Sequence, residues 1–139
     1  MKEYHMHNEA DTRAFGLRLA ARLQAGDVVA LIGELGTGKT RLSGYIAEGL
    51  GIREVVASPT FTLVREYRSG NIPLFHFDCY RLTDSEDVFQ SGIEEYFYAG
   101  GICLVEWADH IMDILPETTQ YIQLAYGEKE GERIFRCTC

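Results

Sequence analysis

The sequence predicts an α/β fold: a single P-loop NTPase-type domain over residues 1–139, with a mainly parallel central sheet, helices on both faces and antiparallel hairpin additions. Three observations predict it. Two short, nearly all-apolar runs, Val28-Val29-Ala30-Leu31-Ile32 and Ile102-Cys103-Leu104-Val105, have the composition of strands buried on both sides in a parallel sheet. The glycine-rich loop Gly33-Glu34-Leu35-Gly36-Thr37-Gly38-Lys39-Thr40 follows the first run directly and opens a segment of helical periodicity. Two alternating pairs, residues 61–68 with 72–78 and 119–126 with 132–138, flank short polar turns as hairpins do.

Along the chain, Asn8 or Asp11 is placed to cap a helix running to about Gln24, with Phe15, Leu19 and Leu23 on one face and Gly26 as its stop. The strand at 28–32 and the glycine loop come next. Leu42, Ile46 and Leu50 then repeat at helical spacing before Gly51, which predicts a second helix over roughly 38–50. The first hairpin turns at Ser69-Gly70-Asn71, and Pro73 makes its second strand begin at an edge or irregularly. Short helices are expected from Asp84 or Ser85 to Phe89 and over Glu94–Phe97. The second buried strand ends in Glu106-Trp107, and the terminal hairpin turns at Gly127–Gly131.

Of the 139 residues 46% are hydrophobic and 24% charged, which suits one globular core. No run approaches the roughly 18 apolar residues of a membrane span, and the first residues lack an apolar signal core, so a soluble cytoplasmic protein is expected. The four cysteines have no paired C-x-x-C spacing and are read as reduced thiols, and His5 and His7 as solvated. The net charge is −8 and the ten arginines are dispersed, a poor basis for gripping DNA or RNA unaided.

The loop carries the chemistry. Gly33, Gly36 and Gly38 let backbone N–H groups converge on phosphate oxygens, with Glu34, Leu35 and Thr37 completing the cradle. Lys39 reaches the β- and γ-phosphates, Thr40 offers a hydroxyl to Mg²⁺, and the following helix points its positive end at the anion. The pattern G-x-x-x-x-G-K-[ST] arises by chance in on the order of 1% of chains of this length. Its strand-loop-helix context argues against chance here.

Magnesium needs more oxygen than one hydroxyl supplies, and Glu106 stands at the end of an apolar strand where P-loop proteins place an acid. His76 and Asp78 share one side of their strand. Asp78 is the better candidate for positioning a nucleophilic water, His76 for a structural role. Thr60 or Thr62, in Ser58-Pro59-Thr60-Phe61-Thr62, could join the metal shell or serve an ordinary turn. Trp107 reads as packing or partner surface. No Asn-Lys-x-Asp guanine motif occurs, which favours adenine. A small-molecule kinase would need an arginine-bearing lid, for which only Arg65, Arg68 and Arg81 offer themselves. An ATP-gated binding module with incidental hydrolysis is the other alternative.

Read in order, G-E-L-G-T-G-K-T, S-P-T-F-T-L-V-R-E-Y, H-F-D-C-Y-R-L, G-I-E-E-Y-F and I-C-L-V-E-W-A resemble the TsaE family, also called YjeE, from about residue 9 to 135. The resemblance implies a bacterial cytoplasmic ATPase required for N6-threonylcarbamoyladenosine at position 37 of ANN-decoding tRNAs. It would act on the partners TsaD and TsaB, meet tRNA through them, and turn over slowly alone. It further implies that Lys39, Thr40 and the glycine loop bind ATP and Mg²⁺, that Glu106 completes the metal site and that Asp78 is needed for hydrolysis. Trp107 matches a family tryptophan beside the nucleotide, and Thr12 and Arg133 match positions near the adenine. Thr60 or Thr62 falls in a switch-like segment, and Cys79 stands where the family usually has Leu.

Overall fold

In the computed structural model, which describes residues 1–57, 63–82 and 92–138, the chain forms a seven-stranded mixed sheet. The strands are β1 (Lys2–Met6), β2 (Val28–Gly33), β3 (Val64–Tyr67), β4 (Leu74–Asp78), β5 (Ile102–Glu106), β6 (Gln120–Tyr126) and β7 (Arg133–Cys137). Two α-helices, α1 (Glu9–Arg22) and α2 (Lys39–Gly49), and two 3-10 segments, Ile93–Tyr98 and Ala108–Ile114, complete the described elements. Across the sheet the order is β1-β7-β6-β2-β5-β4-β3. The four central strands β6, β2, β5 and β4 run parallel, while β3 on one side and β7 with β1 on the other pair antiparallel.

The apolar runs are where their composition requires them. β2 and β5 lie side by side in the centre, and Val29, Ala30, Leu31, Leu104 and Val105 have no solvent exposure. Asn8 caps α1 by accepting a hydrogen bond from the Asp11 N–H, and Phe15, Leu19 and Leu23 are buried. Gly26 and Gly51 take left-handed φ of +96° and +80° after their helices. Both hairpins form, and β4 begins immediately after Pro73.

Helices on both faces were expected, and among the described residues helical segments cover both, α-helices on one face and 3-10 segments on the other. α1 and α2 share one face, where Phe15, Leu19, Leu42 and Ile46 pack on Val29, Leu31, Ile102 and Leu104. The opposite face, lined by Ala30, Phe75, Phe77 and Val105, is covered by the two 3-10 segments through Ile93, Phe97 and Ile111. The two segments are short, six and seven residues. Gly92 with φ +72° precedes the first, and the second is interrupted at Ile111 (φ −132°) and stops at Leu115, ahead of Pro116. The helix expected between Asp84 and Phe89 lies outside the described residues. β1 was not anticipated: it gains its place at the sheet edge by pairing with β7, Tyr4 opposite Phe135, rather than from a local signal. No helix among the described residues is long and apolar enough to cross a membrane.

Candidate functional site at the phosphate loop

Parallel order puts the carboxyl ends of β2, β5 and β4 next to one another, and the candidate residues gather there. The loop leaves β2 at Gly33 and enters α2 at Lys39 through Gly38, whose φ of +100° is open to glycine at little steric cost. Within it the Thr37 N–H donates to the Glu34 carbonyl (3.2 Å), as does the Thr37 hydroxyl (2.7 Å). Gly33 cannot carry a side chain, because a Cβ there would lie 2.7 Å from both the Leu124 carbonyl and Thr37 Oγ1.

Lys39 is buried, and its Nζ donates to the carbonyls of Gly33 (2.6 Å) and Glu34 (2.9 Å). The same ammonium sits 4.2 Å from the centre of the Trp107 ring. Burial lowers its pKa from the usual lysine value, opposed by the carboxylates of Glu106, Asp109 and Asp78. The ammonium is thus held by two carbonyl oxygens and an aromatic face, with three carboxylates nearby.

Thr40 donates its hydroxyl to Glu106 Oε1 (2.8 Å), joining residues from α2 and β5. Glu106 is 2% exposed and its Oε2 is hydrogen-bonded to Nε2 of His76, which has no exposure at all. Asp78 stands directly across from Glu106 in the β4–β5 register and accepts a hydrogen bond from the Tyr80 N–H (3.0 Å). The predicted alternation is present, since Leu74, His76 and Asp78 pair with Ile102, Leu104 and Glu106 along one side. His76, assigned a structural role from sequence, lies against the acid of the site itself.

Trp107 is the one non-glycine residue with positive φ (+56°) among those described. Its ring contacts those of Tyr80 (4.9 Å) and His110 (5.7 Å) as well as Lys39. That left-handed turn ends β5 and lays the indole over the lysine. Burial pushes the thiol of Cys79, next to Asp78, up to about 12, with the Asp78 charge adding to it, so it is an inert packing group there.

Arg133 reaches the loop, with Nη2 donating to the Gly36 carbonyl (3.3 Å). Thr12 lies in α1, half-buried, and none of the described hydrogen bonds links its side chain to the loop. Arg68 is paired with Glu66 on β3 (2.7 Å). Thr60 and Thr62 lie outside the described residues. Tyr126 was missed: its hydroxyl donates to the Leu35 carbonyl (2.7 Å) from 91 residues away. The only signal is its place two residues past Leu124, which pairs with Gly33 once β6 is known to lie beside β2.

Known proteins resemble this chain in sequence and in fold. The family profile described as "Threonylcarbamoyl adenosine biosynthesis protein TsaE" matches residues 6–135. The chain is similar to the tRNA threonylcarbamoyladenosine biosynthesis protein TsaE of Bacillus subtilis, 46% identical over 130 residues that cover 92% of this chain and 80% of that protein. To the protein of the same name from Treponema pallidum it is 43% identical over 123 residues, 86% of this chain and 90% of the other. Its fold superposes on a crystal structure of Bacillus subtilis YdiB with a TM-score of 0.82 and 37% identity, covering 96% of this chain and 82% of that one.

Proposed function

The chain belongs to the TsaE family, which takes part in tRNA threonylcarbamoyladenosine biosynthesis, and from that premise we propose that it is a P-loop ATPase that binds ATP with Mg²⁺ and hydrolyses it. It serves a threonylcarbamoyl transferase formed by TsaB and TsaD, in the cytoplasm, and meets tRNA only through them. The observation that carries this is the junction of loop and acid: Lys39 buried behind the loop, with the Thr40 hydroxyl on Glu106 at the adjoining ends of β2 and β5.

The donor set suits the ion. Thr40 Oγ1 and Glu106 Oε1 are hard oxygens held 2.8 Å apart, the small protein share of a shell that Mg²⁺ otherwise fills with water and phosphate. When bound, the ion neutralises charge on the β- and γ-phosphates. The chain's own residues do the rest. Loop N–H groups and the start of α2 hold the phosphate oxygens. Lys39 leaves the carbonyls of Gly33 and Glu34 for the β- and γ-phosphates. His76 fixes the Glu106 carboxylate so that its other oxygen faces Thr40. Asp78, across from Glu106, orients the attacking water. Turnover by the isolated chain is slow, because P-loop proteins often need a partner to complete the transition-state charge.

ATP binding by calorimetry and phosphate release, each with and without TsaB and TsaD, test this directly. Lys39→Ala is expected to weaken ATP binding at least about 100-fold, the scale of a lost charge-assisted contact in a water-poor site. Glu106→Gln and Asp78→Asn are expected to keep ATP binding and lose hydrolysis. The reading fails if Lys39→Ala binds ATP as wild type does, or if depleting the protein leaves threonylcarbamoyladenosine in tRNA unchanged by mass spectrometry.

A further inference from the structure

The outer side of the phosphate loop is tied to the terminal hairpin. The Tyr126 hydroxyl donates to the Leu35 carbonyl (2.7 Å), and Arg133 Nη2 donates to the Gly36 carbonyl (3.3 Å). Arg133 also anchors Nη1 on the Glu132 carbonyl (2.9 Å) and lays its guanidinium 4.8 Å from the centre of the Tyr126 ring. Two side chains from facing strands thus support each other and grip two successive carbonyls of the loop. Strand register puts them there: Leu124 pairs with Gly33, so Tyr126 falls beside Leu35, and Arg133 pairs with Tyr126 across the hairpin.

The gripped carbonyls belong to a defined turn. The Thr37 N–H donates to the Glu34 carbonyl, Gly36 has φ +84°, and Leu35 is not among the residues of positive φ. That combination is a type II turn over Glu34–Thr37, which differs from type I in the orientation of its central peptide, Leu35–Gly36. In a trans peptide the C=O and the N–H point in opposite directions. Holding the Leu35 carbonyl on Tyr126 therefore aims the Gly36 N–H away from the hairpin, and no described residue accepts it. A flip of that one peptide would aim the N–H at the hairpin instead.

We infer that Tyr126 and Arg133 are positioning residues that lock the Leu35–Gly36 peptide of the phosphate loop, so that the Gly36 N–H is presented to a phosphate oxygen before nucleotide arrives. The inference rests on the ATP-binding function proposed above. It extends that function by naming what preorganises the loop. Neither side chain belongs to the motif, and both act through the backbone.

Tyr126→Phe removes only the hydroxyl. In the nucleotide-free protein, ¹⁵N relaxation is expected to show the Gly36 amide falling from a rigid order parameter near about 0.85 to below about 0.6. Calorimetric titration with MgADP is expected to show affinity about fivefold lower, as befits one lost neutral hydrogen bond. Arg133→Gln is expected to move both readouts the same way, and the midpoint of thermal unfolding to stay within about 2 °C, since neither side chain is core. An unchanged Gly36 order parameter overturns the lock. So does a mobile Gly36 with unchanged MgADP affinity. Failure of the wild type to bind MgADP would instead refute the ATP-binding function, leaving the order parameter to decide the lock.

Discussion

His76 is wholly buried, with Nε2 on Glu106, while Glu106 turns its other oxygen to the Thr40 hydroxyl. Three residues from three elements thus form one chain of hydrogen bonds, and the middle member loses its orientation if either neighbour goes. His76→Ala would leave a void under the site and a buried Glu106 oxygen without its partner. The two effects together should cost about 3 kcal/mol. Urea unfolding measures it, and a shift of the midpoint worth less than about 0.5 kcal/mol would mean that the histidine is dispensable for folding. The motif lysine was recognisable because its chemistry is local, eight residues of loop that identify themselves. The part played by His76 was not, since a lone histidine in an apolar strand has the same appearance whether or not a carboxylate lies against it.

At the scale of elements, the approach of α1 to α2 decides how the loop helix is seated. Gly16 of α1 is buried against α2, and a Cβ on it would lie 2.7 Å from the Tyr45 Cβ. A Cβ on Gly49 would lie 2.6 Å from the Ala20 Cβ. Glycine inside a helix forgoes about 1 kcal/mol of propensity, so these two are explained by close packing of the helices. Exposed ion pairs, Arg13 with Glu48 and Arg41 with Glu9, add little beyond alignment. Gly16→Leu should force the helices apart and lower stability by about 3 kcal/mol, or roughly 10 °C in the midpoint followed by circular dichroism. A midpoint within about 2 °C of wild type would show that the helices have room to spare. Helical periodicity gave no hint of this, because it reports which face of a helix is apolar and not how near its neighbour comes.

For the whole molecule, the charge balance sets what it can hold alone. The net charge is −8, and Arg13, Arg41, Arg68 and Arg136 are each paired with a glutamate. Binding to a polyanion draws its strength from phosphate neutralisation and counterion release, and a net charge of −8 with dispersed arginines opposes it. The isolated chain should therefore give no retardation of tRNA in a gel at about 0.15 M salt up to about 10 μM protein. A submicromolar shift would contradict the view that tRNA is met through partners. The glycine loop and its lysine, the capped start of α1, the two buried strands, both hairpins and the acidic balance were legible in the residues alone. Each of these is written in residues within a few positions of one another, where helix period, strand alternation and turn chemistry act. Tertiary structure alone decided that α1 and α2 share one face, that β1 joins the edge, that Glu106 meets both Thr40 and His76, and that Tyr126 holds Leu35. The hydrogen bonds among them join residues 30 or more positions apart. They follow from strand order and register, which are fixed only when the whole chain buries both faces of one sheet together.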